Sequence, residues 1–263
     1  MNNLLNEVVM ISRMAGSAIM EKYLDPDNQV SSKSDNSPLT AADLAADAAI
    51  NSGITSLGYD WPMLSEESSK ISFNIRKQWG RYWLIDPLDG TKEFIRRNGE
   101  FTVNIALIEK GIPILGVVYA PAMDVCYFAA VGVGAFVRRN GEVKKIKTNT
   151  QVEGELLKVV SSRSHSDART EALLEKLGEC FCVSMGSSLK LCLVAEGLAD
   201  FYPRLGPTME WDTAAAHAIV SCAGGRVCDS DGVELNYNKS NLHNPEFFVL
   251  PRGDEKLLDL VRS

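Results

Sequence analysis

The chain opens on apolar positions that recur every three or four residues: Leu4, Val8, Ile11, Ala15 and Ile19. That spacing lays one apolar stripe along a helix, so the first 23 residues are expected to hold an amphipathic helix. Ser, Asp and Asn dominate residues 25–38, which read as a loop. Thr40-Ala-Ala-Asp43-Leu-Ala-Ala-Asp47 then opens an alanine-rich helix that runs to about residue 57. Residues 61–67 predict a short strand ending in Glu66 and Glu67, and residues 82–85 a buried strand stopped by Asp86-Pro87. Strands follow at 101–108, 113–119, 125–130 and 134–138, with Asn140-Gly141 as a hairpin turn.

The second half alternates. Strands are expected at 156–161, 181–184, 199–202, 226–228 and 247–250. Helices are expected at 167–177, 187–196 and 211–223, the last stopped by Gly224-Gly225. A meander followed by an alternating half predicts an α/β protein of stacked sheets and helices, without internal repeats. Thr, Asn, Gln and Gly cluster at 147–155, which divides the chain into residues 1–150 and 151–263.

Charge narrows the partners. The 27 Lys and Arg residues face 34 Asp and Glu residues, a net charge of −7. Such a chain is poorly suited to grip a nucleic-acid polymer, where phosphate neutralisation supplies most of the affinity. The six cysteines form no C-x-x-C pair and have no histidine at zinc spacing, so they read as reduced thiols of a cytoplasmic protein. Glu7 and Arg13 interrupt the first apolar stretch, which also lacks the basic start of a signal peptide. No window approaches the roughly 18 apolar residues of a membrane span.

Candidate chemistry concentrates in Trp83-Leu-Ile-Asp86-Pro87-Leu88-Asp89-Gly90-Thr91. Here a hydrophobic strand ends in two carboxylates on a turn that Pro87 stiffens and Gly90 lets bend. If they converge, Asp86 and Asp89 repel unless a cation sits between them. An all-oxygen ligand set selects Mg²⁺ or Mn²⁺ over zinc. Thr91 adds a hydroxyl and a backbone amide that can face a phosphate. An Asp-rich turn held by its own hydrogen bonds has the same spelling. The haloacid-dehalogenase nucleophile does not, because it separates its aspartates by one residue rather than two. Glu66 upstream and Trp211-Asp212 downstream add carboxylates, although Asp212 also suits a helix N-cap.

This set resembles the inositol monophosphatase superfamily of Mg²⁺-dependent, lithium-sensitive phosphomonoesterases, marked by Glu-Glu, then D-P-x-D-G-T, then a late W-D. Further strings resemble its bacterial 3′(2′),5′-bisphosphate nucleotidases. They are Asn36-Ser-Pro-Leu-Thr-Ala-Ala-Asp43, Asn98-Gly-Glu-Phe-Thr-Val-Asn-Ile-Ala106, Ser162-Arg-Ser-His165, Gly186-Ser-Ser-Leu-Lys190 and Trp211-Asp-Thr-Ala-Ala215. The resemblance covers about residues 30–250. It implies the layered αβαβα sandwich of inositol monophosphatases and fructose-1,6-bisphosphatases.

By the same resemblance, Mg²⁺ ligands are Glu66, Asp86, the Leu88 carbonyl, Asp89 and Asp212. Asp43 and Thr91 are the pair that orients and deprotonates a metal-activated water. Asp89, Gly90, Thr91 and Asp212 also face the substrate, while Ser162, His165, Gly186 and Lys190 hold the second phosphate and the nucleoside. Bland readings stand beside these: Asp43 as a helix cap, His165 as a loop histidine, Lys190 as a solvated helix face. Arg204 is a weaker candidate for the second phosphate. His217 and His243 read as structural, and Trp61, Trp79 and Phe94 as core or rim.

The implied reaction removes the 3′-phosphate of adenosine 3′,5′-bisphosphate, giving AMP and phosphate and clearing a by-product of sulfate assimilation. The rivals are an inositol monophosphate or fructose bisphosphate phosphatase of the same superfamily, and a non-catalytic nucleotide- or metal-binding protein. The resemblance permits peripheral association with the cytoplasmic face of the inner membrane and leaves the oligomeric state open.

Overall fold

A computed structural model describes residues 1–25, 30–32, 38–149, 155–162 and 168–262. In chain order the first half carries α1 (Asn2–Leu24), β1 (Val30–Ser32), β2 (Pro38–Thr40), α2 (Ala41–Ser56), β3 (Met63–Ser65), α3 (Phe73–Arg76), β4 (Arg81–Asp89), α4 (Thr91–Ile95) and β5 (Thr102–Glu109). The meander continues as β6 (Ile112–Ala120), β7 (Val125–Ala130), β8 (Gly134–Arg139) and β9 (Glu142–Lys145). The second half carries β10 (Leu157–Ser162), α5 (Ala168–Leu177), β11 (Cys180–Met185), α6 (Leu189–Glu196), β12 (Tyr202–Arg204) and α7 (Glu210–Cys222). It closes with β13 (Gly225–Cys228), β14 (Phe247–Pro251) and α8 (Glu255–Arg262).

Seven strands form one sheet in the order β3-β4-β5-β6-β7-β8-β9. Only the β3–β4 pair in it is parallel. A second sheet joins parallel β11–β10 to antiparallel β12-β14-β13 through the Val159–Phe201 bridge, where the Val160 N–H donates to the Phe201 carbonyl at 2.8 Å. Three apolar cores then separate five layers. The stripe of α1 (Leu5, Val8, Ile19) and the inner face of α2 pack on Trp83, Ile85 and Ile105. The opposite face of that sheet, with Tyr82, Leu84 and Ala106, meets α6 and α7, which on their other side cover Val160, Val227 and Val249. Beyond the second sheet, Leu173 of α5 and Leu257 and Leu258 of α8 complete the third core. The result is an αβαβα sandwich, as expected.

Several boundaries differ from the sequence reading. The strand at 82–85 runs on through Pro87 to Asp89, because Pro87 sits at a bulge where a missing N–H costs no ladder bond. The expected loop at 25–38 contains β1, paired with β2. The strand at 199–202 begins only at Tyr202, the residues before it making one bridge. The expected strand at 61–67 ends at Ser65, and Glu66–Ser68 coils into a 3-10 turn. The expected division at 150 lies outside the described residues. No helix among the described residues is long and apolar enough to cross a membrane.

Candidate active site

The register between β4 and β5 places the two aspartates. Asp86 lies opposite Asn104 and Asp89 opposite Thr102, so three steps along β4 match two along β5. Residues three apart on a regular strand point to opposite faces. The extra residue of the bulge cancels that inversion, so Asp86 and Asp89 both face the layer of α6 and α7 while Leu88 faces α1 and α2. Leu88 donates its N–H to Asp86 Oδ1 at 3.1 Å. Parallel β3 brings Glu66 to the same end, one residue past the Ser65–Ile85 pair. Ser65 is itself anchored, its hydroxyl 2.5 Å from Asp47 Oδ1. Gly90 turns the chain with φ +92°, and a side chain there would collide with the Ser187 hydroxyl. Thr91 then starts α4.

The facing layer contributes the rest. Asp212 sits in the first turn of α7, where its Oδ2 accepts the Met209 N–H at 2.8 Å. It therefore caps the helix from N3 rather than as the N-cap. Asp89 Oδ2 accepts from the Ser188 N–H at 2.6 Å, and the Ser188 hydroxyl lies 2.7 Å away. These groups line a cavity of about 320 Å³. Glu66, Asp86, Leu88, Asp89, Thr91 and Asp212 line it together with Lys190 and Arg204.

The acids perturb one another strongly. Burial, then the charges of Glu66, Asp89 and Asp212, push the Asp86 carboxyl well above its usual range. Burial and Asp89 push Asp212 up to about 8. Carboxylates that repel one another in this way are relieved by a shared proton or by a cation between them. Oxygen donors without His or Cys match a hard divalent cation. Among the described residues no three His, Cys, Asp or Glu side chains stand close enough together to hold an ion as they are placed.

The other expected residues fall as follows. Asp43 is buried at N3 of α2, taking the Thr40 N–H at 2.8 Å and lying 2.6 Å from the Thr40 hydroxyl. It is not among the cavity-lining residues, although α4 packs beside β2, which ends at Thr40. Gly186 lines the cavity, but its N–H bonds Glu100 Oε2 at 2.8 Å. Lys190 leans back from α6 and donates to the Ser187 carbonyl at 2.8 Å, with burial pushing its ammonium down to about 8. Arg204 donates to the Pro207 carbonyl at 3.0 Å. Ser162 ends β10 beside Met185, and its side chain, like all of His165, lies outside the described residues. His217 is buried against Tyr237, and His243 makes an isolated bridge with Met209. Trp79 and Trp61 pack against the two main cores, and Phe94 lies inside one. Sequence reasoning missed Asn104, Ser188 and Tyr202, whose positions carry no signal stronger than their presence in the quoted strings or beside Arg204.

The profile of the Inositol monophosphatase family matches residues 2–263. The chain belongs to that family. It is 52% identical over 249 residues to the 3′(2′),5′-bisphosphate nucleotidase CysQ of Escherichia coli K12, covering 94% of this chain and 99% of that protein. The CysQ of Haemophilus influenzae is 40% identical over 255 residues, covering 96% and 94%. Among solved structures, CysQ from Bacteroides thetaiotaomicron, described as a bacterial member of the inositol monophosphatase family, superposes with a TM-score of 0.84 at 39% identity, covering 96% and 98%. The IMPase of Thermotoga maritima superposes with a TM-score of 0.81 at 27% identity, covering 100% and 97%. The family membership and fold expected from the motifs are thus both found.

Proposed function

We propose that this member of the inositol monophosphatase family is a Mg²⁺-dependent 3′(2′),5′-bisphosphate nucleotidase that converts adenosine 3′,5′-bisphosphate to AMP and phosphate. The observation that carries the reading is a single cavity with Glu66, Asp86, Asp89 and Asp212 in its lining and Lys190 and Arg204 beside them. A bisphosphate needs both: a hard cation for the phosphate that leaves, and fixed cations for the one that stays.

Glu66, Asp86, the Leu88 carbonyl, Asp89 and Asp212 would hold Mg²⁺, which when bound supplies the positive charge that offsets the developing phosphoryl charge. Thr91, at the mouth of the turn fixed by Gly90, offers its hydroxyl and the first amide of α4 to the reacting group. Asp43, held by Thr40, accepts the proton of the attacking water through Thr91. Lys190 and Arg204 orient the second phosphate, with Tyr202 as a wall, and Gly186 lets the chain pass close beneath it. Ser162 and His165 complete that end of the substrate. We place the reaction in the cytoplasm, downstream of sulfate assimilation, and expect inhibition by Li⁺.

The test is phosphate release at fixed Mg²⁺ from adenosine 3′,5′-bisphosphate, inositol 1-phosphate and fructose 1,6-bisphosphate. The nucleotide should be turned over with the highest kcat/KM, and Asp89→Asn should lower that rate by orders of magnitude. A preference for inositol 1-phosphate would reject the substrate assignment. Near-wild-type turnover by Asp89→Asn would reject the site.

A further inference from the structure

Four elements of the fold converge on one small hydroxyl. Ser188 is the N-cap residue of α6 and is 2% exposed. Its Oγ lies 2.7 Å from Asp89 Oδ2 at the end of β4 and 2.8 Å from the Asp212 carbonyl in the first turn of α7. From β5, the Asn104 side-chain amide reaches the same Oγ at 2.7 Å and Asp89 Oδ2 at 3.5 Å. The Ser188 N–H adds the 2.6 Å bond to Asp89 Oδ2.

We propose that Ser188, backed by Asn104, is a positioning residue that clamps Asp89 Oδ2 against the start of α6 and so aims Oδ1 into the cavity. The proposal rests on the reading of Asp89 as a cation ligand, and it leaves the identity of the substrate aside. A carboxylate at a strand end can rotate about two bonds. The backbone N–H of Ser188 fixes one oxygen in distance, and the hydroxyl fixes it in direction. Asn104 donates to Ser188 Oγ from behind, which leaves the hydroxyl proton for either Asp89 Oδ2 or the Asp212 carbonyl. Both choices tie the β4 carboxylate to the helix that carries Asp212. Such outer contacts orient ligands and typically change metal affinity by about 10–100-fold when lost.

Packing alone does not account for Asn104. Its neighbours Val103 and Ile105 are fully buried, and Asn104 itself is 1% exposed. Among the described residues its Oδ1 has no hydrogen-bond partner. A buried polar atom without a partner destabilises the fold, so an apolar side chain at this strand position would suit stability better. The amide end of Asn104 is what the site gains in return.

The experiment is a calorimetric titration of the substrate-free full chain with Mg²⁺ and Mn²⁺, beside urea unfolding in EDTA. Ser188→Ala keeps the backbone N–H and removes the hydroxyl, and should weaken cation binding about tenfold or more. Ser188→Thr restores a hydroxyl and should return affinity to near the wild-type value. Asn104→Leu should weaken cation binding while leaving unfolding stability in EDTA the same or higher, a combination that a purely structural role cannot produce. Unchanged affinity in Ser188→Ala, or loss of stability and affinity together in all three variants, would overturn the proposal. Wild-type protein that binds neither cation would overturn it along with the metal reading. A wild type that binds cations normally but spares the bisphosphate would overturn only the substrate assignment.

Discussion

His217 lies in α7 with Nδ1 2.9 Å from the Tyr237 hydroxyl, and burial, with a smaller push from Arg252, lowers its imidazole to about 3. In the unfolded chain the same group titrates near 6.5. Between those values the unfolded state binds the extra proton, so the stability His217 contributes is complete above pH 6.5 and is lost as pH falls toward 3. At pH 5 the loss is about 2 kcal/mol. Replacing it as His217→Gln should shrink the drop in urea-unfolding free energy between pH 7.5 and pH 5 by about that amount. An equally steep drop in the variant would show that another group drives it. Glu210, six residues beyond the Arg204 that lines the cavity, is also fully buried. Its charge is met by the Asn238 and Lys239 amides at 2.7 and 2.9 Å and by Lys239 Nζ at 2.7 Å. That pairing braces the start of α7 next to Asp212 without entering the cavity.

At the scale of elements, the site depends on how closely α7 approaches the central sheet. A Cβ on Gly116 in β6 would run into the Ala215 carbonyl of α7, one turn from Asp212. Gly116→Ala should therefore push the helix off the sheet. Unfolding stability should fall by about 1–3 kcal/mol, and Mg²⁺ affinity should fall with it, although residue 116 does not line the cavity. Unchanged Mg²⁺ binding in the variant would mean that α7 tolerates the shift. The meander strands and the long helices are legible in the sequence because alternation and helical spacing are local properties. The reach of β4 past Pro87 is not, since it is set by pairing with β5. Nor is α8, whose apolar residues Leu257 and Leu258 gain meaning only against the third core. The same contrast divides the site. Its acids stand in recognisable strings, whereas Asn104 and Ser188 meet across 84 positions and are, by type, ordinary surface residues.

At the scale of the molecule, α6 and α7 serve both sheets at once. Neither sheet has a separate core on that side, so unfolding should be a single transition seen alike by circular dichroism and tryptophan fluorescence. Cation binding should then stabilise the whole chain. Mg²⁺ at one hundred times its dissociation constant is worth about 2.7 kcal/mol, a shift of several degrees in Tm relative to EDTA. Asp89→Asn should lose most of that shift, and an undiminished shift would place the bound ion elsewhere. The net charge of −7 need not oppose an anionic substrate, because a bound divalent cation would invert the sign of the field locally. Of the oxygens proposed for the cation, the Leu88 carbonyl alone belongs to no side chain, and Leu88 lies in the bulge, where two residues of β4 share one place opposite β5. Any amino acid at position 88 would still present it. What that ligand would require is chain length, so the loss of a single codon would remove it, whereas a substitution at 88 would reach it only through the core that the Leu88 side chain fills.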